Sequence, residues 1–246
     1  AVAPQRRRPY TQCPPPQVAM LASLAWQDCE LAMHMLYHFA EAVPTTVMNE
    51  AMKAGPLCDM VVAIHKSGVG LHKHRLVVLA YMDLTVRYAG VLHAHPELLL
   101  PVLQGMMGAG YVGVGVGVGV VSCLVSCTPQ ASRCRGCCLL HDSGLKHQES
   151  QTRKLSAYHI FRLVRTFARA KTLAAPLVDP IIGGLREFLV VPYPNAPPVA
   201  GALPPENQSH LYETVGLLVA APWMPPERTA AYVVRSGERK PSWVRW

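Results

Sequence analysis

The chain has 246 residues, half of them hydrophobic and 15% charged, which is ample apolar material for the core of one or two globular domains. Lys and Arg number 23 against 15 Asp and Glu, and the net charge of +8 favours an acidic partner, although a basic protein without such a partner has the same charge. The eight cysteines are not spaced as a disulfide framework, so nothing requires an oxidising compartment and an intracellular location is the default.

Residues 1–16 are basic and rich in proline, with Arg6, Arg7 and Arg8 followed by Pro14–Pro16. The segment lacks the apolar core that a signal peptide needs. We interpret it as a disordered leader or as the stump of a longer chain.

From residue 17 to 108 the hydrophobic periodicity predicts helices that follow one another in pairs. Pro44, Ser67-Gly68 and Pro96 separate them, because proline and glycine stop or start helices. The predicted helices are Gln17–Val43, Asn49–Lys66, His74–Leu92 and a fourth from Pro96 to Met107. The residues expected to be buried in the first are Leu21, Leu24, Leu31, Met35 and Phe39; in the second, Leu57, Met60, Val61 and Ile64; in the third, Leu76, Leu79, Ala80, Leu84 and Tyr88.

Residues 109–140 interrupt this pattern with a low-complexity stretch of Gly, Val and Cys. Its uncharged length could cross a bilayer, but glycine at every second position disfavours a helix, so we expect no membrane insertion. Four cysteines resemble zinc ligands, yet only six residues separate the two halves of the motif, fewer than zinc modules usually need. These candidate ligands are Cys123, Cys127, Cys134 and Cys137, with His141 nearby. A disordered loop, or translated non-coding sequence in a mistaken gene model, explains the stretch better.

The helical pattern resumes over residues 141–234, and residues 235–246 form a divergent tail. The predicted helices are Glu149–Arg169, Pro176–Val191, Glu206–Ala220 and a last one from Pro225-Pro226 to Val234. No strand ladder is visible, and helix pairs recurring at roughly 40 to 47 residues are typical of HEAT or armadillo repeats. We therefore predict an all-α helical-repeat superhelix, with a helical bundle as the alternative.

The sequence offers no catalytic site. It has no G-x-S-x-G motif, and no Cys–His pair stands out from chance. His65, His72 and His74 lie close together in sequence but lack a carboxylate, and a loop between helices accounts for them without a metal. We expect no enzyme activity, no metal and no cofactor.

One predicted helix carries a basic face. At about 100° per residue, Lys154, Arg162, Arg165 and Arg169 fall within about 80° of one another, with Tyr158 among them. The apolar residues Ala157, Ile160, Phe161, Leu163, Val164 and Phe167 occupy the opposite side. A solvated charged face is the simplest interpretation. The alternative is a surface that follows the phosphates of A-form RNA, and the choice depends on whether the face is concave or convex.

Four stretches, in the same order, resemble the middle of the exportin-T family, the tRNA exportins of the importin-β or karyopherin group. They are WQDCELAMHMLYHFAEAVP from Trp26, SGVGLHKHRLVVLAYMDLTVRYAGVL from Ser67, SGLKHQESQTRKLSAYHIFRLVRTF from Ser143 and LYETVGLLVAAPWMPPER from Leu211. Departures from the family pattern include Leu155 in place of an arginine, Ile160 in place of a phenylalanine, the stretch 109–140 and the tail.

The resemblance implies a nuclear export receptor that binds tRNA together with Ran-GTP, passes the nuclear pore through contacts with pore proteins, and shuttles between nucleus and cytoplasm. Members of the family are several times longer, and the repeats that bind Ran lie outside this chain. A helical-repeat scaffold that binds only proteins is the second hypothesis. A metal-binding module built on the cysteine cluster is the third.

Overall fold

The computed structural model describes residues 24–108, 143–189 and 203–234, and this part of the chain is helical and contains no strand. The α-helices are α1 (Trp26–Ala42), α2 (Thr45–Ala51), α3 (Pro56–Lys66), α4 (Arg75–Arg87), α5 (Ala89–Ala94), α6 (Leu99–Met107), α7 (Ser150–Phe167), α8 (Lys171–Ala174), α9 (Val178–Leu185), α10 (Pro205–Val219) and α11 (Pro226–Val234). Single turns of 3-10 helix span Val69–Leu71, Pro96–Leu98, Gly144–Lys146 and Ala175–Leu177. None of the described helices is both long and apolar enough to cross a membrane.

The helices stack in two rows. The most extensive contacts join α1 to α4, α4 to α7 and α7 to α10, although two other α-helices intervene in sequence each time. The intervening helices form the second row, in which α6 contacts α9 and Arg228 of α11 donates a 2.8 Å hydrogen bond to Asp179 of α9. Such stacking of consecutive helix pairs defines a helical-repeat solenoid and confirms the predicted all-α repeat fold.

Two predicted helices are broken where the backbone changes direction. The second divides into α2 and α3 around Gly55, whose φ of 105° only glycine adopts easily, and Pro56 opens α3. The third divides at Tyr88, which is fully buried and whose hydroxyl donates a 2.7 Å hydrogen bond to the Leu36 carbonyl of α1. Periodicity does not show such breaks, because both pieces keep one apolar side toward the core.

The predicted buried stripe of α1 is wrong. Leu31, Met35 and Phe39 are 56%, 66% and 51% exposed, and Leu24 is 40% exposed. The residues that face α4 are Cys29, Met33 and Ala40, on the opposite side of the helix. The helix therefore has two apolar sides, and the periodicity selected the one that no described helix covers. Met60 of α3, also expected inside, is 45% exposed.

The two segments that flank residues 109–142 lie against each other. The Ser143 hydroxyl is 3.5 Å from the Gly105 carbonyl oxygen, and Gly108 closes α6 with a φ of 74°. At Gly144, with a φ of 58°, a Cβ atom would lie 1.9 Å from the Met106 carbonyl oxygen. The stack is thus continuous across this junction. The predicted leader, the candidate zinc ligands with the rest of 109–140, and the tail fall outside the described residues.

Two histidines considered as metal ligands have other contacts. The ring of His74 stacks on Trp26 with centroids 3.7 Å apart, and His65 is 3% exposed with its Nδ1 3.0 Å from the Tyr81 hydroxyl. Burial lowers the pKa of His65 to about 4, because the charged imidazolium would lose its hydration there. Cys29 and Cys58 are also buried, as expected for thiols that pack as small apolar groups, and burial raises the pKa of each.

We expect Gly144→Ala to lower the free energy of unfolding by about 2 kcal/mol or more, since alanine tolerates neither the positive φ nor the contact with Met106. Gly183→Ala in α9 is the matched control, because a Cβ there meets nothing within 4 Å. It should leave stability unchanged or raise it by up to about 1 kcal/mol. Urea unfolding followed by circular dichroism measures both. Equal effects of the two substitutions would contradict the close contact at the junction.

Stability should fall as the pH drops from 6.5 toward 4. In this window the unfolded chain protonates His65 whereas the folded chain does not, and the full difference is worth about 3 kcal/mol. His65→Gln should remove this part of the pH dependence, and His38→Gln, at an exposed position, should keep it. Urea unfolding at several pH values gives the slope of the free energy of unfolding against pH for each variant. An unchanged slope in His65→Gln would show that the buried imidazole is not its source.

Candidate nucleic-acid interface

Helix α7 is held between two neighbours of its row. Its buried side chains Ala157, Ile160, Leu163, Val164 and Phe167 pack into the core between α4 and α10. At its start, Glu149 accepts hydrogen bonds from Arg75 of α4 and, at 3.2 Å, from Thr152. The predicted apolar side is therefore the buried side, apart from the half-buried Phe161.

The four predicted cations all lie at the surface. Lys154, Arg162 and Arg165 are exposed on the solvent side of α7. Arg169 is exposed too, but it follows the last helical residue, Phe167, and belongs to the turn before α8. The helical wheel therefore places three of the four, and the turn places the fourth at the same end of the helix.

These cations differ from those of α4 in their partners. Arg75 pairs with Glu149, and Arg87 lies 3.6 Å from Glu41 and 5.3 Å from the centroid of the Tyr37 ring. Within the described ranges, none of the three cations on α7, nor Arg169 in the turn after it, has a carboxylate within ion-pair distance. Their charge is thus available to an external anion.

An aromatic cluster accompanies the basic face. The Arg162 guanidinium lies 5.6 Å from the centroid of the Tyr158 ring, within the range of a cation–π contact. From α10, His210 stacks on Phe161 at 5.7 Å and contacts Tyr158 at 5.4 Å. No sequence pattern points to His210, because only the approach of α10 brings it to this cluster.

A buried histidine fixes α7 against α4. His159 is 2% exposed, and its Nε2 lies 3.3 Å from the Asp83 carboxylate. Burial lowers the pKa of His159, chiefly through loss of hydration; the charge of Arg162 lowers the pKa further, and Asp83 opposes both effects. The imidazole between α7 and α4 is therefore neutral near pH 7.

A groove of about 870 Å³ separates the end of α7 from α10. Arg165 and Arg169 line one side, and Glu213 of α10 lines the other. Beyond α10, the Trp223 indole donates a 2.8 Å hydrogen bond to the Ala168 carbonyl and so holds the turn that carries Arg169. No sequence pattern predicts this groove, because its walls come from residues about fifty positions apart.

Comparison with known proteins confirms the resemblance stated for the sequence. The family model described as Exportin-T matches residues 17–112. Exportin-T of Homo sapiens is 24% identical over 213 residues, which cover 84% of this chain and 18% of the human protein. Exportin-T of Arabidopsis thaliana is 23% identical over 84% of this chain, and that of Dictyostelium discoideum 22% identical over 85%.

The chain matches only a small part of each relative. The chain spans 18% of the length of the human relative, 17% of the plant relative and 16% of that from Dictyostelium. The family model ends at residue 112, before α7 begins. No solved structure matches the chain.

Proposed function

We propose that this chain is a segment of a nuclear export receptor that binds tRNA together with Ran-GTP. The resemblance to Exportin-T proteins over 84% of the chain supports a karyopherin-type role in nuclear export. The same resemblance suggests shuttling between nucleus and cytoplasm through contacts with nuclear pore proteins. In this role the receptor assembles with its cargo and carries out no chemical step, so we propose no catalytic residues.

The observation that favours RNA as cargo is the set of four exposed cations on α7 and the turn after it, which have no carboxylate partners in the described part of the chain. Lys and Arg beside phosphates displace condensed counterions, which makes unpaired surface cations suited to a nucleic-acid backbone. Lys154 and Arg165 are eleven residues apart, or about 16 Å along the helix, which is enough to face several phosphates. Tyr158 adds an aromatic ring on which a base can stack.

A protein-binding scaffold is the second candidate, and the exposed stripe of α1 favours it. Leu31, Met35 and Phe39 lie in one row on the helix and are each more than half exposed. Such a row suits the apolar centre of a protein interface. The two candidates use different surfaces of the stack, so a single set of variants separates them.

We expect the double variant Arg165→Glu, Arg169→Glu to bind tRNA at least about tenfold more weakly than the unaltered chain. The slope of log affinity against log salt should decrease by about two, because two phosphate contacts are lost. Anisotropy of labelled tRNA over a salt series measures both quantities. In a full-length receptor that includes the Ran-binding repeats, Ran-GTP should raise the affinity for tRNA, since the two ligands are coupled.

The charge-matched control is Lys66→Glu, Lys73→Glu, at exposed positions outside α7. It changes the net charge equally and should keep most of the tRNA affinity. Equal losses in both double variants would mean that overall charge alone attracts tRNA. No loss in either would remove the α7 cations as contacts. Equal tRNA affinity of the full-length receptor with and without Ran-GTP would remove the cooperative part of the proposal.

A further inference from the structure

The groove between α7 and α10 has a composition that the basic face alone does not explain. Two cations, Arg165 and Arg169, share it with one carboxylate, Glu213. The remaining lining is mostly small or apolar and includes Gly216, Leu217 and Ala220 of α10. A surface that only followed a phosphate backbone would need neither the carboxylate nor the apolar floor.

The groove is open because small residues of α10 face it. A Cβ atom at Gly216 would meet nothing within 4 Å, so the space beside the helix is unfilled. Its volume of about 870 Å³ exceeds what one nucleotide needs and falls in the range of ordinary ligand sites. A planar group can therefore lie on this floor without displacing a side chain.

The charges of the groove restrict its occupant. Arg165 and Arg169 attract an anion such as a phosphate, whereas Glu213 repels one and accepts hydrogen bonds from amino groups. An acidic peptide would place carboxylates against Glu213. A nucleotide joins both requirements in one molecule, because its phosphate is anionic and the edge of its base can carry an amino group that donates to a carboxylate.

We propose that this groove binds one unstacked nucleotide whose base carries an exocyclic amine. The phosphate lies against Arg165 and Arg169, the base lies on the floor beside Gly216, and its amino group donates to Glu213. Cytosine, adenine and guanine each carry such an amine, and uracil, which lacks it, does not fit. This inference rests on the proposed RNA-binding function and adds to it a preference among bases.

The test uses the 246-residue chain and labelled RNAs of about eight nucleotides: oligo(C), oligo(A), oligo(U) and a blunt duplex. The unaltered chain should bind oligo(C) and oligo(A) about fivefold to tenfold more tightly than oligo(U). Gly216→Leu fills the groove and should abolish this difference while leaving duplex binding unchanged. Gly183→Leu is the matched control, since that position is also open but lies on α9, and it should keep the difference.

Glu213→Ala provides a second signature. Removing the carboxylate should equalise the three oligonucleotides and raise the affinity for oligo(U), because a repulsion between Glu213 and the phosphate disappears. A merely structural role of Glu213 would instead weaken the binding of every RNA.

Four results would overturn the inference. Equal binding of oligo(U) and oligo(C) by the unaltered chain would remove the base preference, while a loss of duplex binding in Arg165→Glu, Arg169→Glu would still support the proposed function. If the base preference persisted in Gly216→Leu, the base would be recognised at another site on the chain. Tight binding of poly-glutamate that Gly216→Leu abolishes would make the groove a peptide site. If the chain binds no RNA at all, both proposals fall.

Discussion

The stacking of α1, α4, α7 and α10 in one row constrains the rest of the described molecule. A helix inside such a row buries surface against a neighbour on each side and against the second row behind it, so only a narrow strip reaches solvent. In α7 that strip carries Lys154, Arg162 and Arg165, with Tyr158 among them. The cations are at the surface because every other side of the helix is occupied.

The distribution of carboxylates then decides which cations are free. Arg75 and Arg87 of α4 pair with glutamates on neighbouring helices, and these pairs link α4 to α1 and to the start of α7. Exposed ion pairs of this kind contribute only about 0 to 1 kcal/mol each. Leaving the cations of α7 without such partners therefore costs the fold little, and it concentrates positive charge on one helix of the row.

The features that could be predicted from the sequence are those that depend on a single helix. The limits of α7, its buried side and its basic face follow from periodicity, and proline and glycine mark most helix ends. Periodicity failed for α1, because Leu31, Met35 and Phe39 form an apolar row as regular as the one that faces α4. The groove beside Arg165 and the stacking of His210 were beyond prediction, since both depend on how closely two distant segments approach. The tRNA cargo hypothesis came mainly from the resemblance, and the basic face of α7 supports it from the residues alone.

The junction at Gly108 and Gly144 has a consequence for how such a chain can change over time. The hydrogen bond from Ser143 to the Gly105 carbonyl and the packing of Gly144 against Met106 join the two halves of the stack directly. The stretch between Gly108 and Ser143 therefore begins and ends at nearly the same point of the surface. Because the two sides of the junction touch each other, a change in the number of residues between them does not by itself separate the described helices. The junction is thus a place where the gene can gain or lose sequence, and where a reporter domain can be inserted.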